Sequence, residues 1–235
     1  MKEPARLMNE NPRVLPAYTV GEAAHYLRLP MATVRAWAVG RSYPTRGGAT
    51  RSLPVLGLRV RRPPMLSFLN LAEVHVLAAI TRDHDVPLQR VRRAVKYLER
   101  AFGTAHPLVE KVFETDGRDL FVREAERLIN VSREGQTAIR EALDLYLARV
   151  EWDEAGLAAR LFPFTGRAVL GAPRAVVIDP CIAFGKPVLA GTSIPTQVIA
   201  ERFKAGESEA QLAADYGRRR SEIEEAIRCE LAVAA

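Results

Sequence analysis

Guanidinium groups dominate the chemistry this chain could do, and their positions are uneven. The first 70 residues hold 11 Lys or Arg against 3 Asp or Glu, a net of +8. Residues 71–165 net −2 and residues 166–235 net zero, so the formal charge of +6 belongs to one end. Arg35, Arg41, Arg46, Arg51, Arg59, Arg61 and Arg62 lie in that end. A planar guanidinium donates in pairs to phosphate oxygens or to a base edge, so a basic field of this kind suits a polyanion such as DNA. A second group, Arg218-Arg219-Arg220, sits in the neutral C-terminal third. It suits the carboxylates of an acidic partner, the phosphates of DNA, or a solvated turn between two helices.

Elements able to position the first group can be read nearby. Thr19-Val20-Gly21-Glu22 is a capping box, and Val20, Ala23, Ala24 and Leu27 recur on one helical face. Pro30 ends that helix, and a second short helix is expected over Met31 to Val39, with Val34, Trp37 and Ala38 inward, Arg35 pointing elsewhere and Gly40 as the stop. Two short helices joined tightly are what a major-groove reader requires. Val55, Leu56, Leu58 and Val60 suggest short strands in a basic β-wing. A further helix is expected from Asn70, capped with Glu73, and another through Leu88, Val91, Val95 and Leu98. The same periodicity also fits a trihelical packing module with a solvated basic surface.

Tyr18-Thr19-Val20-Gly21-Glu22-Ala23-Ala24 through Thr33-Val34-Arg35-Ala36-Trp37, with Leu66-Ser67-Phe68-Leu69-Asn70-Leu71 after the wing, resembles the MerR-type winged helix-turn-helix over residues 18–101. The resemblance implies that Thr33, Arg35 and Trp37 lie near DNA and that wing arginines, Arg41, Arg46, Arg51, Arg61 and Arg62, hold flanking phosphates. No long heptad run follows, so the sensing role of that family does not carry over.

Near the other end, Ala175-Val176-Val177-Ile178 is a buried-strand candidate ending at Asp179-Pro180. Gly185-Lys186-Pro187 and Gly191-Thr192-Ser193-Ile194-Pro195 bracket a second short strand. Three helices follow, the second and third opening on the capping boxes Ser208–Gln211 and Ser221–Glu224. Asp179-Pro180, Gly185, Pro187, Gly191-Thr192, Ile194-Pro195 and Gly206-Glu207-Ser208 resemble the small C-terminal domain of VapB-like antitoxins, whose members mostly carry Arg where this chain has Ser193. With the N-terminal unit, the whole length resembles a larger VapB-type antitoxin. That resemblance implies a homodimer that binds operator DNA and neutralises a cognate PIN-domain ribonuclease toxin. The Arg218-Arg219-Arg220 group is one place for toxin contact and the middle region another. A stand-alone helix-turn-helix regulator with a C-terminal effector- or protein-binding module is the alternative.

The expected fold is mainly α with short β-hairpins: an N-terminal arm over 1–17, a winged helix-turn-helix over 18–103, a middle α/β region over 104–165, and a trihelical, helix-turn-helix-like module over 166–235. In the middle, Asp116-Gly117 suggests a hairpin, Gly135 to Val150 a helix, and Leu157 to Phe164 a strand. This region suits an internal interface or a homodimer surface. No enzyme is expected. Gly185-Lys186 lacks the Gly and Ser/Thr of a phosphate loop, the four His are scattered, and neither a Gly-x-Ser-x-Gly elbow nor a His-Glu-x-x-His helix occurs. No cofactor or metal is expected. Cys181 and Cys229 stand alone and suit buried positions in a reducing cytoplasm. No apolar run approaches the roughly 20 residues of a membrane span, and Met1 to Pro16 lacks an apolar signal core, so the expected location is cytoplasmic.

Overall fold

The structure is a computed structural model that describes residues 11–45, 48–81, 88–122, 133–166 and 169–231. Strand β1 (Tyr18–Thr19) leads into α1 (Val20–Tyr26) and α2 (Met31–Val39). The hairpin β2 (Arg41–Thr45) and β3 (Gly48–Ser52) follows, then β4 (Val60–Arg61), β5 (Pro64–Leu66), α3 (Phe68–Thr81) and α4 (Leu88–Phe102). The middle holds α5 (Arg133–Leu147), β6 (Val150–Trp152) and β7 (Ala158–Leu161). The C-terminal part holds β8 (Val176–Val177), β9 (Val188–Leu189), α6 (Thr196–Lys204), α7 (Glu209–Tyr216) and α8 (Arg220–Glu230). All pairing is antiparallel: a three-stranded sheet β1-β5-β4 and the pairs β2-β3, β6-β7 and β8-β9. The fold is mainly helical with small β-hairpins, as the periodicity predicts.

Helix α3 is the centre. Every residue from Phe68 to Ile80 is buried. It opens two residues before the expected cap at Asn70. Ser67 is the N-cap: the Asn70 amide donates to Ser67 Oγ at 3.2 Å, and the Ser67 amide donates back to Asn70 Oδ1 at 3.2 Å. The Asn70–Glu73 pair is real but is a side-chain bond, Nδ2 to Oε2 at 3.1 Å. One apolar cluster runs from Tyr18 and Trp37 through α3 and α4 to Leu143, Leu161 and Ile178. A smaller one, Leu189, Ile199, Leu212, Ile223, Ala226 and Ile227, fills the C-terminal module.

Four expectations are corrected. The Asp116-Gly117 hairpin is absent, and Phe113–Gly117 is a π-helical turn. Gly117 is there for packing: a Cβ on it would lie 2.9 Å from both the Phe102 and Phe113 rings. Residues 11–17 are docked rather than a loose arm, through a Pro12–Val14 turn and an Arg13–Asp153 ion pair. Helix α8 starts one residue before the expected Ser221 cap, with Arg219 as N-cap and its amide donating to Glu222 Oε2 at 2.9 Å. Cys181 is exposed, because its amide donates to Asp179 Oδ1 at 2.8 Å in a turn that faces outward. Cys229 is buried, and burial pushes its thiol up to about 12. The β8-β9 hairpin and the Ser208–Gln211 capping box agree with the structure. The helix expected over Gly135 to Val150 ends at Leu147, with Val150 opening β6, and the strand expected over Leu157 to Phe164 is paired only over Ala158–Leu161.

His75, on α3, lies between the Tyr146 and Phe164 rings, with centroids at 4.8 and 5.5 Å, and its Nε2 donates to Tyr146 O at 3.1 Å. Burial pushes its pKa down to about 3. The folded chain therefore holds it neutral, whereas the unfolded chain protonates it near 6.5. Its contribution is fully present above that value and is lost as pH falls below it. The expected loss is about 1.4 kcal/mol at roughly pH 5.5, read as a falling urea midpoint; His75→Phe, which does not titrate, should flatten that part of the profile.

Candidate nucleic-acid interface

The helix pair is built locally. The Thr19 amide donates to Glu22 Oε2 at 2.9 Å, and the Glu22 amide donates to Thr19 Oγ1 at 3.1 Å, which fixes the start of α1. Burial raises the Glu22 carboxyl, but Lys186 and the Thr19 amide and hydroxyl outweigh it, so its pKa is lowered and it stays charged. Arg28 takes a left-handed φ of 57° in the turn, and the Leu29 amide closes on Ala24 O at 3.0 Å. Pro30 then supplies the acceptor for the first amides of α2, Thr33 and Val34.

On α2 the buried face is Val34, Trp37 and Ala38. Arg35 is exposed, with Met31 and Ala32, and Thr33 is half-buried on the flank. Trp37 is 3% exposed, so the expected placement of its side chain near DNA is corrected. Two positions apart on a helix is about 200°, and Arg35 and Trp37 therefore cannot share a face. Trp37 belongs to the core, and its carbonyl accepts from the Val55 and Leu56 amides at 2.8 and 3.1 Å.

Those two bonds explain a second correction. Val55, Leu56 and Leu58 are buried and outside the strands. Their side chains, with the Val55 and Leu56 amides, serve the core, and the hairpin of this basic stretch is the earlier pair β2-β3, in register from Arg41↔Ser52 to Thr45↔Gly48. Gly40 makes the turn into it at φ 82°. A Cβ there would lie 2.2 Å from Ser52 O. Arg41 is exposed at the base of the hairpin. Arg46 lies outside the described residues, as does the Arg51 side chain, whose backbone is in β3. Arg61 and Arg62 are exposed at the β4-β5 turn.

Sequence reasoning missed a third basic element. Helix α4 exposes Arg93, Lys96, Tyr97 and Arg100, spaced i, i+3, i+4, i+7 as a single stripe. Its opposite face, Val91, Ala94, Val95 and Leu98, is buried, and the apolar periodicity of the helix signals that face alone. Arg92 ties the helix to β3, donating to Ser52 Oγ at 2.7 Å. Among the described residues, Arg35, Arg61, Arg62, Arg93, Lys96 and Arg100 have no carboxylate within ion-pair distance.

The C-terminal arginines are different. Arg218 donates to Ala190 O at 3.0 Å and to Glu222 at 2.7 Å. Arg219 lies 3.5 Å from Glu222, with its side chain 82% exposed. Arg220 pairs with Glu209 at 2.6 Å and Glu224 at 3.1 Å. Helix α8 itself is covered: Arg28 donates to Arg228 O and to Thr165 O, and His25 faces Glu230 at 3.7 Å. These contacts hold the C-terminal end of α8 against α1, while Arg219, Arg220 and Ser221 at its start stay exposed.

Residues 16–95 match the family described as "Putative DNA-binding HTH domain", and residues 176–228 match "Protein of unknown function (DUF433)". Over 224 residues the chain is 30% identical to "Putative antitoxin VapB45" of Mycobacterium tuberculosis (strain ATCC 25618 / H37Rv), covering 86% of this chain and 89% of the relative. The chain belongs to the VapB45 family. Beside VapB45, the "Uncharacterized protein Rv2308" of the same organism is 28% identical over 220 residues, covering 89% of this chain and 88% of the relative. The crystal structure of Rv2018 from Mycobacterium tuberculosis superposes with a TM-score of 0.67 at 27% identity, covering 91% of this chain and 98% of that one. The VapB45 likeness therefore spans the helix-turn-helix, the middle and the C-terminal module together.

Gly40→Ala tests the local geometry. Both the left-handed φ and the contact with Ser52 O oppose a Cβ. The variant should lose more than about 1 kcal/mol of stability in a denaturant titration. A titration that matches the wild type would show that the α2-wing junction can relax.

Proposed function

We propose that this chain is an antitoxin that binds and neutralises a PIN-domain ribonuclease and represses its own operon by binding operator DNA as a homodimer. The observation that carries the reading is the likeness to VapB45 along both ends of the chain. The exposed, ion-pair-free Arg35 on α2 supports the DNA half. In this reading α2 enters the major groove in a MerR-like manner, and Arg35, flanked by Thr33, reads a base edge. Arg41, Arg46, Arg51, Arg61 and Arg62 hold phosphates, and Arg93, Lys96 and Arg100 extend that track along α4. Two subunits place two α2 helices on an inverted repeat about one helical turn apart. Neutralisation is stoichiometric blocking of the ribonuclease rather than chemistry.

Co-expression with the product of the adjacent reading frame is the direct test. A co-eluting complex with suppressed ribonuclease activity is the expected result. No complex, with promoter binding kept, would leave a helix-turn-helix regulator.

The DNA half has its own prediction. Arg35→Ala should erase the preference for operator over unrelated duplex by about 1–3 kcal/mol per half-site. Arg93→Ala/Lys96→Ala/Arg100→Ala should keep that preference and reduce the slope of log K against log salt by about 2.7 per subunit. Equal losses on all sequences for Arg35→Ala would make it a phosphate contact. An unchanged slope for the triple variant would remove α4 from the interface.

A further inference from the structure

The loop Asp179–Pro187 joins β8 to β9 and carries an aromatic side chain in an unusual position. Phe184 is 96% exposed. It sits at φ 54°, ψ 31°, in the left-handed region that a bulky side chain rarely adopts, and Ala183 before it is at φ 47°. Gly185 after it is at φ 77°, so three successive residues are left-handed. An exposed Phe gains nothing from such a backbone in the free chain, and strained residues persist only where their surroundings hold them.

The surroundings do hold them. Tyr18 Oη donates to Gly185 O at 2.8 Å, and a Cβ on Gly185 would lie 2.4 Å from Tyr18 Oη. Burial raises the Tyr18 pKa, so its hydroxyl remains a donor. At the other end of the loop, Asp179 accepts from the Cys181 amide at 2.8 Å and from Arg160 Nε at 2.9 Å. Lys186 pairs with Glu22 of α1. The Ile182, Gly185 and Lys186 amides close turns on Asp179 O, Ile182 O and Ala183 O. Phe184 therefore projects from a rigid loop rather than a loose one.

The charge around it decides the kind of partner. Beside the loop lies a cleft of about 400 Å³ lined by Arg13, Trp152, Arg160, Asp179 and Cys181, among others. Arg13 is paired with Asp153, and Arg160 with Asp179 and Glu151. Lys186 is paired as well, so this surface is locally neutral and offers a polyanion nothing. Among the described residues, exposed cations without a carboxylate within ion-pair distance include Arg35 on α2, Arg61 and Arg62 at the β4-β5 turn and Arg93, Lys96 and Arg100 on α4, with Lys204 on α6 and Lys111 as others. A rigid aromatic projecting from a neutral surface matches the anchors that dominate protein–protein binding energy, where Trp and Tyr lead and a few buried side chains carry most of the affinity.

We infer that Phe184 is the anchor by which this chain holds its ribonuclease, inserting into an apolar pocket of benzyl size on that protein while the neutral cleft beside it forms the rim. This rests on the proposed antitoxin function and names its docking surface, which is then the β8-β9 loop rather than Arg218, Arg219 and Arg220. Because the loop is bonded to Tyr18 and Glu22, the occupied anchor abuts the start of α1 in the DNA-binding unit.

The test uses the full-length chain, its Phe184→Ala and Phe184→Gly variants, and the purified ribonuclease from the adjacent reading frame. Each variant removes the side chain from solvent and should fold. Phe184→Ala should melt as the wild type does, and Phe184→Gly should melt at the same or a higher temperature because Gly accepts the left-handed φ. Both should weaken the complex by about 30-fold or more, with the slope of DNA binding against salt unchanged. Wild-type affinity in both variants would overturn the anchor while leaving the antitoxin reading intact. Conversion of a wild-type dimer to a monomer by both variants, with ribonuclease affinity kept, would assign the loop to self-association and overturn it too. A wild-type chain that does not bind the ribonuclease at all would overturn the antitoxin reading and the anchor together.

Discussion

A helix with no solvent face must settle its polar groups inside the protein, and α3 is such a helix. Burying an amide, a carboxyl or an imidazole without a partner costs on the order of 1–3 kcal/mol each. Asn70, Glu73 and His75 are all buried on α3. Asn70 bonds to the Ser67 cap and to Glu73. Glu73 faces His106 Nδ1 at 3.2 Å, and His75 bonds to Tyr146 O. The partners come from the β5-α3 junction, from the segment after α4 and from the end of α5. The helix-turn-helix unit thus shares its central helix's polar contacts, as well as its apolar cluster, with the middle region. The position of the helix-turn-helix is set by packing that extends beyond residues 16–95.

The same sharing governs the C-terminal module. Tyr18, Glu22, His25 and Arg28 recur at helical spacing along β1 and α1, and each meets the second half of the chain: Gly185, Lys186, Glu230, and Arg228 with Thr165. One side of α1 packs α2, through the buried Val20, Ala23 and Ala24. The other side carries this polar stripe. Thr165 in turn bonds Glu225 of α8, which also takes Arg228. Arg149 fastens the intervening segment by donating to the carbonyls of Phe162, Ala172 and Pro173 at 2.8–2.9 Å. The module and α1 are therefore in direct contact.

Much of this was legible because it is local. The Thr19–Glu22 and Ser208–Gln211 boxes, the Pro30 break, the Gly40 stop and the β8-β9 hairpin rest on neighbours within a few residues. The failures share a cause. Val55 and Leu56 look like strand residues, but their amides answer the Trp37 carbonyl across the core. Asp116-Gly117 looks like a turn, but Gly117 is selected by two Phe rings, one of them 15 residues away. Resemblance puts Trp37 near DNA while its own periodicity puts it inward, and the side chain is buried. The Phe184 loop has no signature in the sequence, because two left-handed non-glycine residues announce themselves only in three dimensions.

Counting arginines is weaker evidence than asking what each one touches. The N-terminal excess of +8 locates a polyanion surface only in outline. In the C-terminal module Arg202 is held by Glu207 and Asp215, and Arg218, Arg219 and Arg220 by Glu222, Glu209 and Glu224. A polyanion approaching these groups must displace a carboxylate already in place and then face it. On α2, α4 and the β4-β5 turn the exposed cations have no such competitor, and each gains its full counterion-release benefit from a phosphate. The difference between the two ends is therefore larger than the difference in net charge.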